Sequence, residues 1–159
     1  MNHRELVKVA ERWLYNTVRC GVVFTEFVTA VPEIPDAFGL RSDYTILVEC
    51  KASRTDFFAD KKKLFRRIPE QGIGDFRFFL CEEGLIKPEE LPEKWGLLYW
   101  NGKKVKKIIA PKGNVWYRTG ETMRFEKNID AEYRMMYSAL RRIHLQGDLH
   151  KIYPTTESK

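Results

Sequence analysis

Apolar and small residues recur at helical spacing from the start of the chain. Leu6, Val9, Ala10, Trp13, Leu14 and Thr17 mark one face of a helix predicted over Arg4–Val18, with Asn2 as its cap and Gly21 beyond its end. The pattern then changes. Val22–Thr29 is rich in β-branched and aromatic residues and reads as a strand, and Pro32 and Pro35 make 31–35 a loop. Asp36–Leu40 and Tyr44–Lys51 read as the two arms of a hairpin about the polar turn Arg41-Ser42-Asp43, the second arm being a central strand. Helical character returns over Asp56–Arg67, where Phe57, Leu64 and Ile68 fit one apolar stripe and Asp60 through Arg67 form the wet side. Pro69 and Gly72 end that helix.

Further on, Phe76–Cys81 and Gly96–Trp100 read as strands, separated by a loop over Leu85–Lys94 that Pro88 and Pro92 limit to one helical turn. Asn101-Gly102 predicts a two-residue hairpin turn into a strand over Lys104–Ala110. A last helix spans Ile129–Leu145, with Tyr133, Met136, Leu140 and Ile143 expected inside. The order helix, strands, helix, strands, helix predicts an α/β fold, a mixed β-sheet flanked by helices, as one domain over residues 1–147 with a tail over 148–159.

Alternation along Tyr44–Lys51 carries the chemical signal. Thr45, Leu47, Glu49 and Lys51 share one face; Tyr44, Ile46, Val48 and Cys50 share the other, which is apolar apart from the Tyr44 hydroxyl. Glu49 and Lys51 therefore stand side by side, roughly 7 Å apart at their roots. If Gly39 pairs with Ile46, Asp36 falls opposite Glu49 and on its face. Two carboxylates so close repel, and one takes up a proton unless a cation lies between them. Hard oxygen ligands suit Mg2+, with Mn2+ as a substitute, and the Cys50 backbone carbonyl can join them while its sulfur faces the core. Lys51 is then placed to stabilise charge on phosphoryl oxygens. Each signal has an ordinary reading as well: Glu-x-Lys is a common cross-strand ion pair, and an Asp after Pro is common turn chemistry.

Composition narrows the partner. A length of 159 residues suits one domain with its own core. The net charge of +6 is clustered: Lys61, Lys62, Lys63, Arg66 and Arg67 lie in one seven-residue run, and Lys103, Lys104, Lys106 and Lys107 in another. Arg134, Arg141 and Arg142 form a third group. Clustered cations favour a polyanion, with the first run as the candidate nucleic-acid contact and Trp116-Tyr117-Arg118 as a candidate base-stacking segment. Trp95 and Trp100 read as core or core-edge residues. No apolar run is long enough to span a bilayer, no leader is evident, and no lipid-facing helix accompanies the basic runs, so a cytoplasmic protein without a membrane partner is expected. Cys20, Cys50 and Cys81 are an odd number, widely spaced, which argues against disulfides and zinc and for a reducing compartment. His3, His144 and His150 lie near the ends of the chain and are expected in solvent.

The span Phe24–Lys63 resembles the PD-(D/E)xK nuclease superfamily and, more closely, the MmcB-like DNA-repair proteins. The likeness rests on Thr25-Glu26, on Asp36, on Glu49-Cys50-Lys51, and on Ser53-Arg54-Thr55-Asp56-Phe57-Phe58-Ala59-Asp60. Gly74-Asp75-Phe76-Arg77-Phe78-Phe79 and Leu91-Pro92-Glu93-Lys94-Trp95-Gly96-Leu97 extend it over about residues 20–110. It implies a restriction-endonuclease-like core, Mg2+-dependent hydrolysis of DNA, Asp36 and Glu49 as metal ligands and Lys51 as the catalytic lysine. Members often add a glutamate from the first helix: Glu11 is the first choice, with Glu5 and Glu26 as alternatives. The chain departs from the pattern in Glu33, where basic residues are usual, and in 113–127, which reads as an insertion. An inactive nucleic-acid-binding module on the same fold is the alternative, and the assembly is left open, a homodimer included.

Overall fold

The computed structural model describes residues 1–113 and 115–155. Helix α1 (His3–Trp13) opens with a capping box: Asn2 Oδ1 accepts from the Glu5 N–H, and the Glu5 carboxylate accepts from the Asn2 N–H. A π-helical turn, Leu14–Val18, follows and closes on Arg19 in the left-handed region at φ 65°. Six strands form one sheet in sequence order: β1 (Val22–Thr25), β2 (Ala37–Leu40), β3 (Thr45–Lys51), β4 (Phe76–Glu82), β5 (Gly96–Trp100) and β6 (Val105–Ile109). The β1–β2, β2–β3 and β5–β6 pairs are antiparallel, and β3–β4 and β4–β5 are parallel. The chain is thus α/β, with a mixed, open sheet. Parallel strands need crossovers. Short helices α2 (Arg54–Asp60) and α3 (Leu64–Arg67) lie in the one from β3 to β4, and α4 (Trp116–Thr119) precedes the long α5 (Ile129–Leu145).

The sheet is covered on both faces. On the first, Ile46, Val48 and Cys50 of β3 and Phe76, Phe78 and Leu80 of β4 meet Leu6, Ala10, Trp13 and Leu14, and Trp116 joins them. On the second, Phe38, Leu47, Phe79 and Leu97 meet Phe57 of α2, Trp95, and Ala131 and Met135 of α5. All seven residues of β3 are buried. This is the expected environment of a central strand beside parallel neighbours. Gly96 permits close β4–β5 contact, because a Cβ there would run into the Phe78 ring.

Several expectations are corrected. The first strand ends at Thr25, because Glu26 adopts φ 45° and turns the chain away. The helix over Asp56–Arg67 is two helices parted at Lys61–Lys63, and Leu64, expected inside, is exposed. The β5–β6 turn centres on Gly102-Lys103, since Asn101 pairs with Lys104 and its side chain accepts from the N–H groups of Lys103 and Lys104. Helix α5 has the predicted bounds, yet it buries Ala131, Glu132 and Met135; Tyr133, Met136, Leu140 and Ile143 face outward. Trp116 is a core residue stacked near Tyr44, with ring centroids 5.8 Å apart, and is not free to stack on bases. After Gly147 the described chain forms one exposed 3-10 turn, Leu149–Ile152; the tail's residues 156–159 lie outside the described residues, as does residue 114 of the 113–127 segment. Among the described residues no helix is long and apolar enough to cross a membrane.

Candidate active site

The β2–β3 register is Ala37↔Val48 and Gly39↔Ile46, so the next step brings Asp36 level with Glu49. Just ahead of β2, Asp36 continues the ladder with its side chain: Oδ2 accepts from the Cys50 N–H at 2.7 Å. A strand residue presents its N–H and C=O to the same edge. The Cys50 carbonyl therefore opens toward the Asp36 side, while its thiol is buried in the first-face core. Asp36 Oδ1 lies 3.3 Å from His3 Nε2, which is itself 3.8 Å from Glu26 Oε1. His3, expected in solvent, thus sits at the site because α1 begins there.

Glu49 and Lys51 share the second face, as the alternation predicts, and both are buried. Lys51 Nζ lies 3.3 Å from Glu49 Oε2 and 3.1 Å from Asp60 Oδ1. Arg66 reaches in from α3: its Nε is 2.7 Å from Asp60 Oδ2, its Nη1 2.9 Å from Glu33 Oε1 and its Nη2 3.4 Å from Glu49 Oε2. Lys63 adds contacts of 2.8 Å to Asp60 and 3.5 Å to Glu49. Glu33 is anchored by the Ile73 N–H at 2.9 Å. Three acids, Glu33, Glu49 and Asp60, thereby face three bases, Lys51, Lys63 and Arg66.

The electrostatics follow. Burial, then the charge of Glu49, raises the Asp36 carboxyl from its ordinary 3.8 to about 6, against the pull of the Cys50 N–H, His3 and Lys51. Burial alone would lower the Lys51 ammonium, but Glu49 and Asp60 outweigh it and keep it charged. Burial likewise opposes ionisation of Asp60, and Arg66, Lys51 and Lys63 overcome it, so its carboxyl lies below the usual range. Asp36 is the surplus negative charge beside a balanced network.

A hard divalent cation can be tested against these donors. Glu49 Oε1 is buried with no hydrogen-bond partner, which is costly for a polar acceptor. Together with Asp36 and the Cys50 carbonyl it makes an oxygen set of the type Mg2+ accepts, waters completing the shell. The fit is by two carboxylates only: among the described residues no three His, Cys, Asp or Glu side chains are grouped to hold a metal.

The remaining sequence candidates separate. Glu11 lies eight residues along α1 from His3, about 12 Å by helical rise, so α1 brings His3 and not Glu11 to Asp36. Glu5 is engaged at the Asn2 cap, whereas Glu26 is close through His3. Of the basic run, Lys61, Lys62 and Arg67 are exposed, but Arg66 is held inside by three carboxylates and is not available to a polyanion. Arg66 was expected as an outward phosphate contact, and Asp60 and Glu33 were given no site role: Asp60 follows Phe57 by three residues on the buried face of α2, and the break at Lys61–Lys63 redirects Arg66 to meet it. Glu33 is the one acid of the 31–35 loop, and its burial against Arg66 and the Ile73 N–H comes from segments distant in the chain.

Taken together, fold and site define an α/β protein with a buried carboxylate–lysine centre at the carboxyl end of its central strand. No family model and no curated protein matches the chain. Among solved structures it is similar to the SPO1766 protein of unknown function from Silicibacter pomeroyi, at 22% identity and a TM-score of 0.60 over 99% of each chain. That likeness bears on the fold alone.

Proposed function

We propose that the protein is a Mg2+-dependent nuclease that hydrolyses phosphodiester bonds in DNA, on a sheet of the restriction-endonuclease type. The observation that carries the reading is the convergence of Asp36, Glu49 and Lys51 where β2 begins beside the carboxyl end of β3, with Glu49 Oε1 unpartnered. The carboxyl ends of parallel strands in open α/β sheets are the usual place for a ligand. Asp36, Glu49 and the Cys50 carbonyl would hold the ion, which supplies Lewis-acid polarisation of the phosphate and acidifies water.

This chain's own residues do the rest. Lys51, kept charged by Glu49 and Asp60, is the electrophile for a developing phosphoryl oxyanion. Asp60 and Arg66 fix the orientation of Lys51 and Glu49 from behind. Lys63, half-exposed at the rim, and the outward Lys61, Lys62 and Arg67 present positive charge to phosphates arriving at the site.

A second reading has one observation in its favour. Glu49 Oε2 is already compensated by Lys51, Lys63 and Arg66, so the same centre could be a structural ion network in an inactive DNA-binding module. The purified protein, incubated with single-stranded, duplex and branched DNA in Mg2+, Mn2+ or EDTA, separates the two. The nuclease reading expects metal-dependent products that Asp36→Ala and Lys51→Met abolish. Binding without products in any metal, or products that persist in both variants, would refute it.

A further inference from the structure

On the first face, away from the candidate active site, two depressions of about 360 and 410 Å³ meet between the end of α1 and the β5–β6 hairpin. They share Trp13, Asn16 and Thr17, so they form one continuous crease. Six cations line it, Arg19, Arg41 and Lys107 in one half and Arg12, Lys103 and Lys104 in the other, with no Asp or Glu among the lining residues. Of these, Arg41 is committed, to Asp43 at 3.1 Å and to the Val18 carbonyl at 2.6 Å. The other five are in no ion pair among the described residues. In a chain holding 22 acidic residues, a concave surface free of them is a built feature.

Its walls carry two further marks. The α1 side is the π-helical turn Leu14–Val18, a rare geometry frequent at functional sites, and it leaves Asn16 and Thr17 exposed at the join of the two halves. It ends at Arg19, a non-glycine residue held at φ 65°, at the rim of the first half. The opposite side is aromatic: Trp100 is partly exposed, and Trp13 and Trp116 close the floor.

We propose that this crease is a binding site for single-stranded nucleic acid. A row of unpaired cations matches a chain of phosphates, a ring at the wall offers a base a stacking surface, and the Asn16 amide and Thr17 hydroxyl can hydrogen-bond base edges. Two pockets of a few hundred Å³ admit splayed nucleotides but not a duplex. A flat lipid surface is a poor fit to a concave crease. The proposal rests on the nucleic-acid reading above for its ligand class but not on catalysis. Tyr44, at one end of the crease, lies five residues, about 17 Å along β3, from Glu49.

The test uses a fluorescein-labelled oligothymidylate, the full chain and EDTA, with affinity read by anisotropy across a salt series. The triple variant Arg19→Gln, Lys104→Gln, Lys107→Gln is compared with a charge-matched triple of exposed cations outside both sites, Lys87→Gln, Arg134→Gln, Arg141→Gln. The crease variant should bind at least tenfold more weakly and flatten the slope of log affinity against log salt by about two. The charge-matched variant should lose less than threefold. Photo-cross-links from a bromouracil-substituted strand should map to the peptides holding 12–19 and 100–107. Equal losses in both triples, cross-links confined to 61–67, or binding to phosphatidylserine vesicles without binding to the oligonucleotide would each overturn the proposal. If the wild type cuts nothing yet binds through the crease, the nuclease reading falls and the crease stands. Cleavage with an indifferent crease gives the reverse.

Discussion

Replacing Asp36 by asparagine should stabilise the metal-free protein at neutral pH while destroying its response to Mg2+. In the folded chain the carboxyl is raised from 3.8 to about 6 by burial and by Glu49. A folded-state value above the unfolded one means that, between the two, the native state holds a proton the unfolded chain has released. Stability therefore falls as pH rises through roughly 4 to 6, and the whole deficit is present above that window. At roughly 1.4 kcal/mol per pH unit the deficit is about 3 kcal/mol. Asparagine keeps an acceptor for the Cys50 N–H but loses the half-exposed His3 contact, worth at most about 1 kcal/mol. The net gain at pH 8 in EDTA is about 2 kcal/mol, or roughly 4–8 °C in Tm for a chain of this size. Urea and thermal unfolding at pH 4.5 and pH 8 measure it. The gain should shrink toward zero at pH 4.5, and millimolar Mg2+ should raise the Tm of the wild type alone. A variant no more stable than wild type at pH 8, or one whose advantage is the same at both pH values, would show that Asp36 and Glu49 do not oppose each other.

Other consequences follow from the same geometry. Arg66→Met leaves Glu33, Glu49 and Asp60 buried and short of a cation, and should cost about 3–5 kcal/mol in urea unfolding; a loss below 1 kcal/mol would mean that Arg66 is not held inside. Lys51→Met should abolish cleavage and also unfold at lower urea by about 3 kcal/mol, because Glu49 and Asp60 lose a shared partner; Lys51→Arg, which keeps the charge, should recover stability more than activity. Gly96→Ala should cost about 1–3 kcal/mol through the Phe78 ring, read as a lower Tm, and an unchanged Tm would contradict the close β4–β5 approach.

Much of the centre was local information. Alternation along 44–51 assigns Glu49 and Lys51 to one face and Cys50 to the other, because side-chain period in a strand is set by backbone geometry. The short turn at 41–43 fixes the pairing of Gly39 with Ile46, and Asp36 follows by counting. Periodicity was less informative for helices, since it marks which side is apolar but not whether anything covers it. Met136 and Leu140 lie on a correct helix and an uncovered face, while Met135, one residue away, is the buried contact.

The sequence by itself determined the order of helices and strands, the faces that Glu49, Cys50 and Lys51 occupy, and the hairpin register that sets Asp36 level with Glu49, all from spacing within one hairpin and its neighbours. Tertiary structure decided what surrounds them. It broke the helix at Lys61–Lys63 and carried Arg66 to Glu33, 33 residues away in the chain, and to Glu49. It also brought His3 to Asp36 and α1 to the β5–β6 hairpin. Such pairings depend on burying charge against its opposite and apolar area across the sheet, and those energies exist only once distant segments meet.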